Sequence, residues 1–332
     1  MEKKMLKTRT LVSAFALMFA VALPVFAQQK IVLKWGEQNA PTDIMAEGAM
    51  EFAKIVKEKS KDRIEIAVYL SSQLGDEKTQ IQSVQMGALD FFRANSNITA
   101  EFGADKSNVL ALPYIFRNRD HMWNVLNGPV GKEILENFKE KNTRMLGIAY
   151  FDEGPRHFIT RSKQIKSVED LKGLKIRVGQ TAIMMDTIRA LGASPTAVSY
   201  AELYSALQAG VVDGAENPIT AYLNNKFYEV GKYYTLDGHV FSPSIIVMSE
   251  ATAKKLSADD LKLVTEAAVE AGQRVRASVQ KREADAAAQL KAKGTVITEI
   301  ADKKPWQDAV KPVVEKYGAN YKKLVEQIQN TK

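Results

Sequence analysis

From Ser257 to Gly294 the chain runs without a proline, and Leu261, Val264, Ala268, Gly272, Val275 and Val279 hold one apolar face through it. Three- and four-residue spacing of apolar positions is the mark of an amphipathic helix. Ser257-Ala258-Asp259-Asp260 opens the run as a capping-box-like start, because a serine hydroxyl can accept from a first-turn amide and acidic residues suit the positive end of a helix. At a rise of about 1.5 Å per residue the pattern makes a rod on the order of 50 Å long, longer than a small domain is wide. Such a rod needs more than one core to bury it, so it is expected to lie across two domains as a spine. Gly272 is the alternative break point: a glycine inside a helix costs about 1 kcal/mol relative to alanine, so two shorter helices or a bend also fit.

Elsewhere short β-branched runs alternate with helical stretches, the pattern of an α/β protein with largely parallel sheets. Strands are expected at 31–35, 64–70, 89–92, 144–150, 175–178, 211–213 and 245–248. Helices are expected at 43–58, 76–86, 119–140, 182–191, 200–209 and 218–228. Two segments resemble each other, Gln85-Met86-Gly87-Ala88-Leu89-Asp90 and Gln208-Ala209-Gly210-Val211-Val212-Asp213. Each reads as a helix closed by a left-handed glycine and followed at once by a strand. Ligands of open parallel sheets sit beyond the carboxyl ends of strands, which places the candidate site at 93–97 in one half and 214–218 in the other.

Lys3, Lys4, Lys7 and Arg9, an apolar stretch over 11–25 and the closing Val25-Phe26-Ala27 have the organisation of an export signal, with cleavage expected after Ala27. The apolar stretch is short for a membrane span and Pro24 interrupts it. The chain has no cysteine, so neither a disulfide framework nor a lipid-modified cysteine is available, and the expected location is the periplasm, in soluble form. Without residues 1–27, the 46 Lys+Arg and 39 Asp+Glu become 42 and 38, and the net charge falls from +7 to +4. What remains is mixed in sign, as in Lys57-Glu58-Lys59, and no basic stripe alternates with aromatics, so no nucleic-acid partner is expected. His121, His157 and His239 lie far apart in sequence, without a paired-histidine helix motif or a calcium loop, so neither metal nor cofactor is expected. A nucleophile elbow, a phosphate-cradling loop and a dinucleotide fingerprint are also lacking. One enzyme class passes this filter: a glycosidase whose paired carboxylates come from distant positions, such as Glu77 and Glu216.

Six segments follow one another in order: Ser71-Ser72-Gln73-Leu74-Gly75-Asp76, then 85–90, then Leu112-Pro113-Tyr114, then Leu171-Lys172-Gly173-Leu174-Lys175-Ile176-Arg177-Val178, then Gly192-Ala193-Ser194-Pro195-Thr196, and finally Asp213-Gly214-Ala215-Glu216-Asn217-Pro218. In this order and spacing the chain resembles the solute receptors of tripartite ATP-independent periplasmic (TRAP) transporters, the DctP family, from Leu33 to about Lys323. The resemblance implies a two-domain periplasmic binding-protein fold with a hinge, crossover strands and a long domain-spanning helix. It also implies a monomeric receptor with no enzymatic activity, working with TRAP membrane permease subunits. On this reading residues 1–27 are the signal peptide, 28–153 plus 242–282 form domain I, and 154–241 plus 283–332 form domain II.

In this family the arginine of the Leu-Lys-Gly-Leu-Lys-x-Arg-Val strand binds the substrate carboxylate, and the matching residue is Arg177. A guanidinium is always charged and offers a planar fork to both carboxylate oxygens. On pattern alone, Leu174, Ile176 and Val178 would face the core and Lys175 and Arg177 a solvated side. Arg156 matches a second arginine of many members; otherwise it is a loop residue paired with Asp152 or Glu153. Asn217 matches the asparagine after the Asp-Gly-x-Glu run, and it also suits a helix cap before Pro218. Segments 112–123 and 228–234 are similar to receptors for uronates and related sugar acids, which commonly carry an arginine where Arg93 stands. Pro218 replaces a second asparagine of that group, and Asn95 replaces a glutamate common in sialic-acid receptors. Gln38, Asn39, Asp76, Glu77 and Gln180 lie in segments that approach the cleft in the family, as hydroxyl readers or helix caps. The implied mechanism is closure on a hexuronate or aldonate. Its carboxylate would sit on Arg177, with Arg156 or Arg93 closing the other side, Asn95 and Asn217 meeting hydroxyls and Tyr200 covering the ring. Receptors for a small dicarboxylate or for sialic acid are the alternatives.

Overall fold

A computed structural model describes residues 30–241 and 243–332, so the expected export signal lies outside the described residues. The strands β1 (Ile31–Gly36), β2 (Ile64–Tyr69), β3 (Phe91–Asn95), β4 (Met145–Phe151), β5 (Pro155–Thr160) and β6 (Lys175–Val178) come first. They are followed by β7 (Ser194–Ala197), β8 (Gly214–Pro218), β9 (Tyr233–Phe241), β10 (Ser244–Ser249) and β11 (Val296–Glu299). One sheet has the order β2-β1-β3-β10-β4 and the other β11-β9-β5-β8-β6-β7. β1 runs parallel to β2 and β3, and β6 parallel to β7 and β8, while β10 and β5 insert antiparallel. The chain therefore passes from the first sheet to the second at 152–154 and returns between β9 and β10.

In the first lobe lie α1 (Ile44–Lys59), α2 (Glu77–Met86), α3 (Ser96–Glu101), α4 (Arg119–Leu126) and α5 (Pro129–Glu140). Next come α6 (Ala182–Ala190), α7 (Leu203–Ala209), α8 (Ile219–Asn224), the short α9 (Glu250–Ala253) and the long α10 (Ala258–Ala292). The single helix expected over 119–140 is in fact two. Pro129 would clash with the carbonyl of Val125 in a continuous helix; instead Gly128 is extended and Pro129 starts α5, where its missing N–H is harmless. The helix expected at 200–209 begins only at Leu203, and the one expected at 218–228 ends at Asn224, with Lys226 in the left-handed region at φ 57°.

Both repeated segments close a helix on a left-handed glycine, Gly87 at φ 75° and Gly210 at φ 73°. The strands do not follow at once, however: residues 211–213 are a bend, and pairing starts at Phe91 and Gly214. The intervening aspartates supply the reason. The Asp90 carboxylate accepts from the Lys34 amide at 2.7 Å, and that of Asp213 from the Lys175 amide at 2.8 Å. Each aspartate thus fastens the neighbouring strand before its own begins.

The long helix α10 is continuous over 35 residues, with Ser257 Oγ accepting from the Asp260 amide at 3.1 Å. Gly272 is no break. A Cβ at that position would stand 2.4 Å from the Tyr150 carbonyl oxygen, so the glycine lets the helix lie against β4. Val264, Ala268, Val275 and Val279 share a core with Trp35, Phe52, Phe91 and Phe151, whereas Ala286 and Leu290 enter another with Leu203, Tyr222 and Tyr234. One helix therefore braces two lobes, as its length required. Among the described residues no helix is long and apolar enough to cross a membrane.

Candidate functional site

Between the two sheets lies a narrow cleft. Gln38 and Asn39 reach it from beyond β1, Arg93 and Asn95 from the end of β3, and Glu153 from the sheet-to-sheet crossing. The facing wall comes from Arg156 on β5, Arg177 on β6 and Asn217 on β8, with Glu77 of α2 and Tyr200 completing the lining. Gln180 is elsewhere. It lines an adjoining recess with Asp76, Glu77, Arg177 and Tyr200.

The three arginines differ in what their donors already do. Arg93 is 1% exposed, and all five of its N–H groups are engaged. Nε and Nη2 grip Glu37 at 3.0 and 2.7 Å, Nη2 also reaches Asn39 Oδ1 at 3.0 Å, and Nη1 donates to Glu153 at 2.6 Å and Ser244 Oγ at 2.9 Å. Arg93, expected as a residue that closes on a ligand, has no donor left in this conformation. Arg156 does not take Asp152 or Glu153 as its main partner. Its Nε and Nη2 hold the Glu216 carboxylate, Nη2 at 2.9 Å, and Nη2 also donates to the Glu216 carbonyl at 3.0 Å. Only Nη1 remains, 3.7 Å from Glu153 Oε2.

Arg177 is the exception. It is 4% exposed and spends Nε on the Val198 carbonyl at 2.9 Å, yet its Nη1 and Nη2 groups have no acceptor among the described residues. Burial draws its pKa down to about 10, with Glu216 offsetting part of that and Arg156 adding to it. Its Cζ lies 5.8 Å from the centre of the Tyr200 ring, so the aromatic face flanks the cation.

The acids divide in the same way. Burial alone would raise Glu216, but Arg156 and His239 outweigh it and hold its pKa at about 2. His239 lies 2.7 Å from Asp237 and 3.7 Å from Glu216. Burial works against its charge, yet those two carboxylates bring its pKa to about 9. Glu77 behaves oppositely: burial pushes it up to about 7, although the Asn95 amide donates to it at 3.1 Å.

Asn217 is 3% exposed and belongs to β8, while Pro218 takes the cap position of α8, so the helix-cap reading of Asn217 does not hold. Its carbonyl accepts from Tyr234 Oη at 2.8 Å, and its Nδ2 is buried without a partner. Asn95 Nδ2 donates to Glu153 Oε2 at 3.2 Å, while Asp76 caps α2 through the Thr79 amide at 2.9 Å. Across the cleft, Asn225 Nδ2 donates to Asp43 Oδ2 at 3.0 Å, tying the two lobes together, and within its own lobe it donates to Tyr200 Oη at 3.1 Å. Sequence reasoning missed Glu37 and Asp43 and gave Glu153 no role of its own in the site. Their available signal was position alone, just past β1 and at the crossing after β4.

The sequence profile of the DctP family, described as bacterial extracellular solute-binding protein, family 7, matches residues 35–320. A TRAP periplasmic solute binding protein from Pseudomonas putida F1, solved with D-glucuronate, superposes with a TM-score of 0.87 at 34% identity, covering 90% of this chain and 97% of that one. One from Polaromonas sp. JS666, bound to D-erythronate, gives a TM-score of 0.88 at 30% identity over 91% and 99% of the two chains. The sialic acid-binding periplasmic protein SiaP of Vibrio cholerae is 31% identical over 87% of this chain and 88% of its own.

Proposed function

This chain belongs to the DctP family of bacterial extracellular solute-binding proteins, and from that membership we propose that it captures a hexuronate or an aldonate by hinge closure. The observation that carries the proposal is the Arg177 guanidinium, buried in a cleft with its fork of Nη1 and Nη2 unpartnered among the described residues. A buried charge without a partner is expensive, and a ligand carboxylate taking both nitrogens relieves it. The unpartnered Asn217 Nδ2 is a donor for a second ligand oxygen, and Tyr200 supplies a ring face. The relatives point the same way, with D-glucuronate and D-erythronate bound in similar receptors.

The moving bodies on this proposal are 28–153 with 242–282 and 154–241 with 283–332. Ligand bridging both favours the closed state, to which the Asp43–Asn225 bond adds. The protein works as a periplasmic monomer, its leader removed after Ala27, and hands its cargo to TRAP permease subunits. It is a receptor and not a hydrolase, a reading that its membership of a solute-binding family supports.

A melting-temperature panel tests the proposal. Ligand at 100 times its Kd adds about 2.7 kcal/mol of stability. D-Glucuronate, D-galacturonate or D-erythronate should raise the melting temperature and, by small-angle scattering, shrink the particle. A response confined to N-acetylneuraminate or succinate would contradict the sugar-acid assignment.

A further inference from the structure

Three arginines line the cleft, but their donors are so unequally committed that we infer a site for one carboxylate only, with Glu153 reading a ligand hydroxyl and turning away a second carboxylate. The inference rests on the sugar-acid reading above and narrows it to polyhydroxy monoacids.

The crossing between the sheets puts Glu153 at the junction of both charged walls. Its Oε1 accepts from Arg93 Nη1 at 2.6 Å and from Ser244 Oγ. Its Oε2 accepts from Asn95 Nδ2 at 3.2 Å and lies 3.7 Å from Arg156 Nη1, too far for a hydrogen bond. A carboxylate oxygen has two acceptor positions, so Oε2 keeps one, next to the only Arg156 nitrogen without a hydrogen bond. A hydroxyl fits between them, because it can donate to Oε2 and accept from Nη1 at once. A carboxylate only accepts, and it would set its charge against that of Glu153.

The surrounding charges reinforce this. Glu37, Arg93, Glu153, Arg156, Glu216, His239 and Asp237 follow one another as neighbours of alternating sign across the crossing. With His239 protonated, this run holds four anions and three cations, so it is already negative by one. A second ligand carboxylate placed there gains no net counter-charge. Arg177 stands apart, since no carboxylate among the described residues hydrogen-bonds its fork. Two arginines that a sequence motif would count as further anchors are thus spent on the protein's own acids.

D-Glucarate is D-glucuronate oxidised at C1, so it carries this second carboxylate and stays open-chain; calorimetry on the mature receptor compares the two, and the change of their ratio in Glu153 variants isolates the effect of charge from that of the ring. Wild type should bind glucuronate and hold glucarate at least about 100-fold more weakly, the loss of one to two charged contacts expressed in Kd. Glu153→Gln keeps the shape and removes the charge; it should narrow that ratio at least about tenfold, while Glu153→Asp should preserve it. Glucarate bound by wild type within about threefold of glucuronate overturns the inference and leaves the sugar-acid reading standing. An unchanged ratio in a cooperatively melting Glu153→Gln variant overturns the role of Glu153. Should that variant fail to melt cooperatively, the wild-type ratio and the Asp variant still decide. Wild type indifferent to every sugar acid overturns the underlying reading, and this is seen before any variant is made.

Discussion

Replacing Arg177 with lysine keeps the charge and removes the fork, which makes it the sharpest single perturbation of the site. Two consequences follow from the geometry. The Nε bond to the Val198 carbonyl at 2.9 Å disappears, and so does one of the two parallel bonds that Nη1 and Nη2 can offer a carboxylate. Loss of a charged hydrogen bond in an enclosed site costs about 1.5–3 kcal/mol, or about 10- to 150-fold in Kd. The fold should tolerate the change, since the only protein hydrogen bond lost is that of the charged Nε–H to the Val198 carbonyl, worth about 1.5–3 kcal/mol. That shifts the melting temperature of a chain this size by about 2–6 °C. A second signature follows from burial, which already draws Arg177 down to about 10. The same desolvation acts on a lysine with a lower starting value, so the variant's residual affinity should decline between pH 7 and 9 where wild type stays flat. Titration calorimetry with D-glucuronate at both pH values, beside a melting curve, measures all three effects. A Kd within about twofold of wild type would refute the assignment of Arg177 as anchor.

Gly272→Ala should destabilise the protein by about 1–3 kcal/mol through contact with the Tyr150 carbonyl, despite alanine's better helix propensity; a rise in melting temperature would show that α10 does not press on β4. His239 has a folded pKa of about 9 against its usual 6.5, so its contribution to stability is full below pH 6.5 and is lost as pH rises through 9. Urea midpoints should therefore fall between pH 8 and 10 in wild type and fall less in His239→Gln; equal slopes would remove the histidine from that network. Asn225→Ala deletes the bonds to Asp43 and Tyr200, so the ligand-free particle should expand in scattering and ligand affinity should drop by about threefold to tenfold. An unchanged scattering radius would mean that this bridge does not hold the lobes together.

The strand at 175–178 was readable because Lys175-Ile176-Arg177-Val178 alternates cleanly between Gly173 and Gly179. β9 was not, because Asp237-Gly238 reads as a turn. In the fold Asp237 and His239 are fully buried and pair at 2.7 Å, a polar contact standing where alternation would ask for apolar side chains. β5 was hidden by Pro155, acceptable only because it is the first residue of its strand. The spine helix was legible from its pattern, but the meaning of Gly272 lay in a backbone atom of a distant strand. The site shows the same division. Motifs located Arg93, Arg156 and Arg177, but whether each is free depends on acids brought in by topology: Glu37, 56 residues before Arg93, and Glu216, 60 residues after Arg156. No local pattern records such a pairing.

If the buried, unpartnered fork of Arg177 selects a carboxylate, D-glucuronate against D-glucose shows it most directly, since the two differ chiefly in that group. Calorimetry should yield a measurable Kd for glucuronate, or for galacturonate if the hydroxyl stereochemistry demands it. The matching neutral sugar should bind at least about 100-fold more weakly, because it leaves the guanidinium desolvated and unpaired. Equal affinity for the acid and its neutral counterpart would show that Arg177 does not anchor a carboxylate.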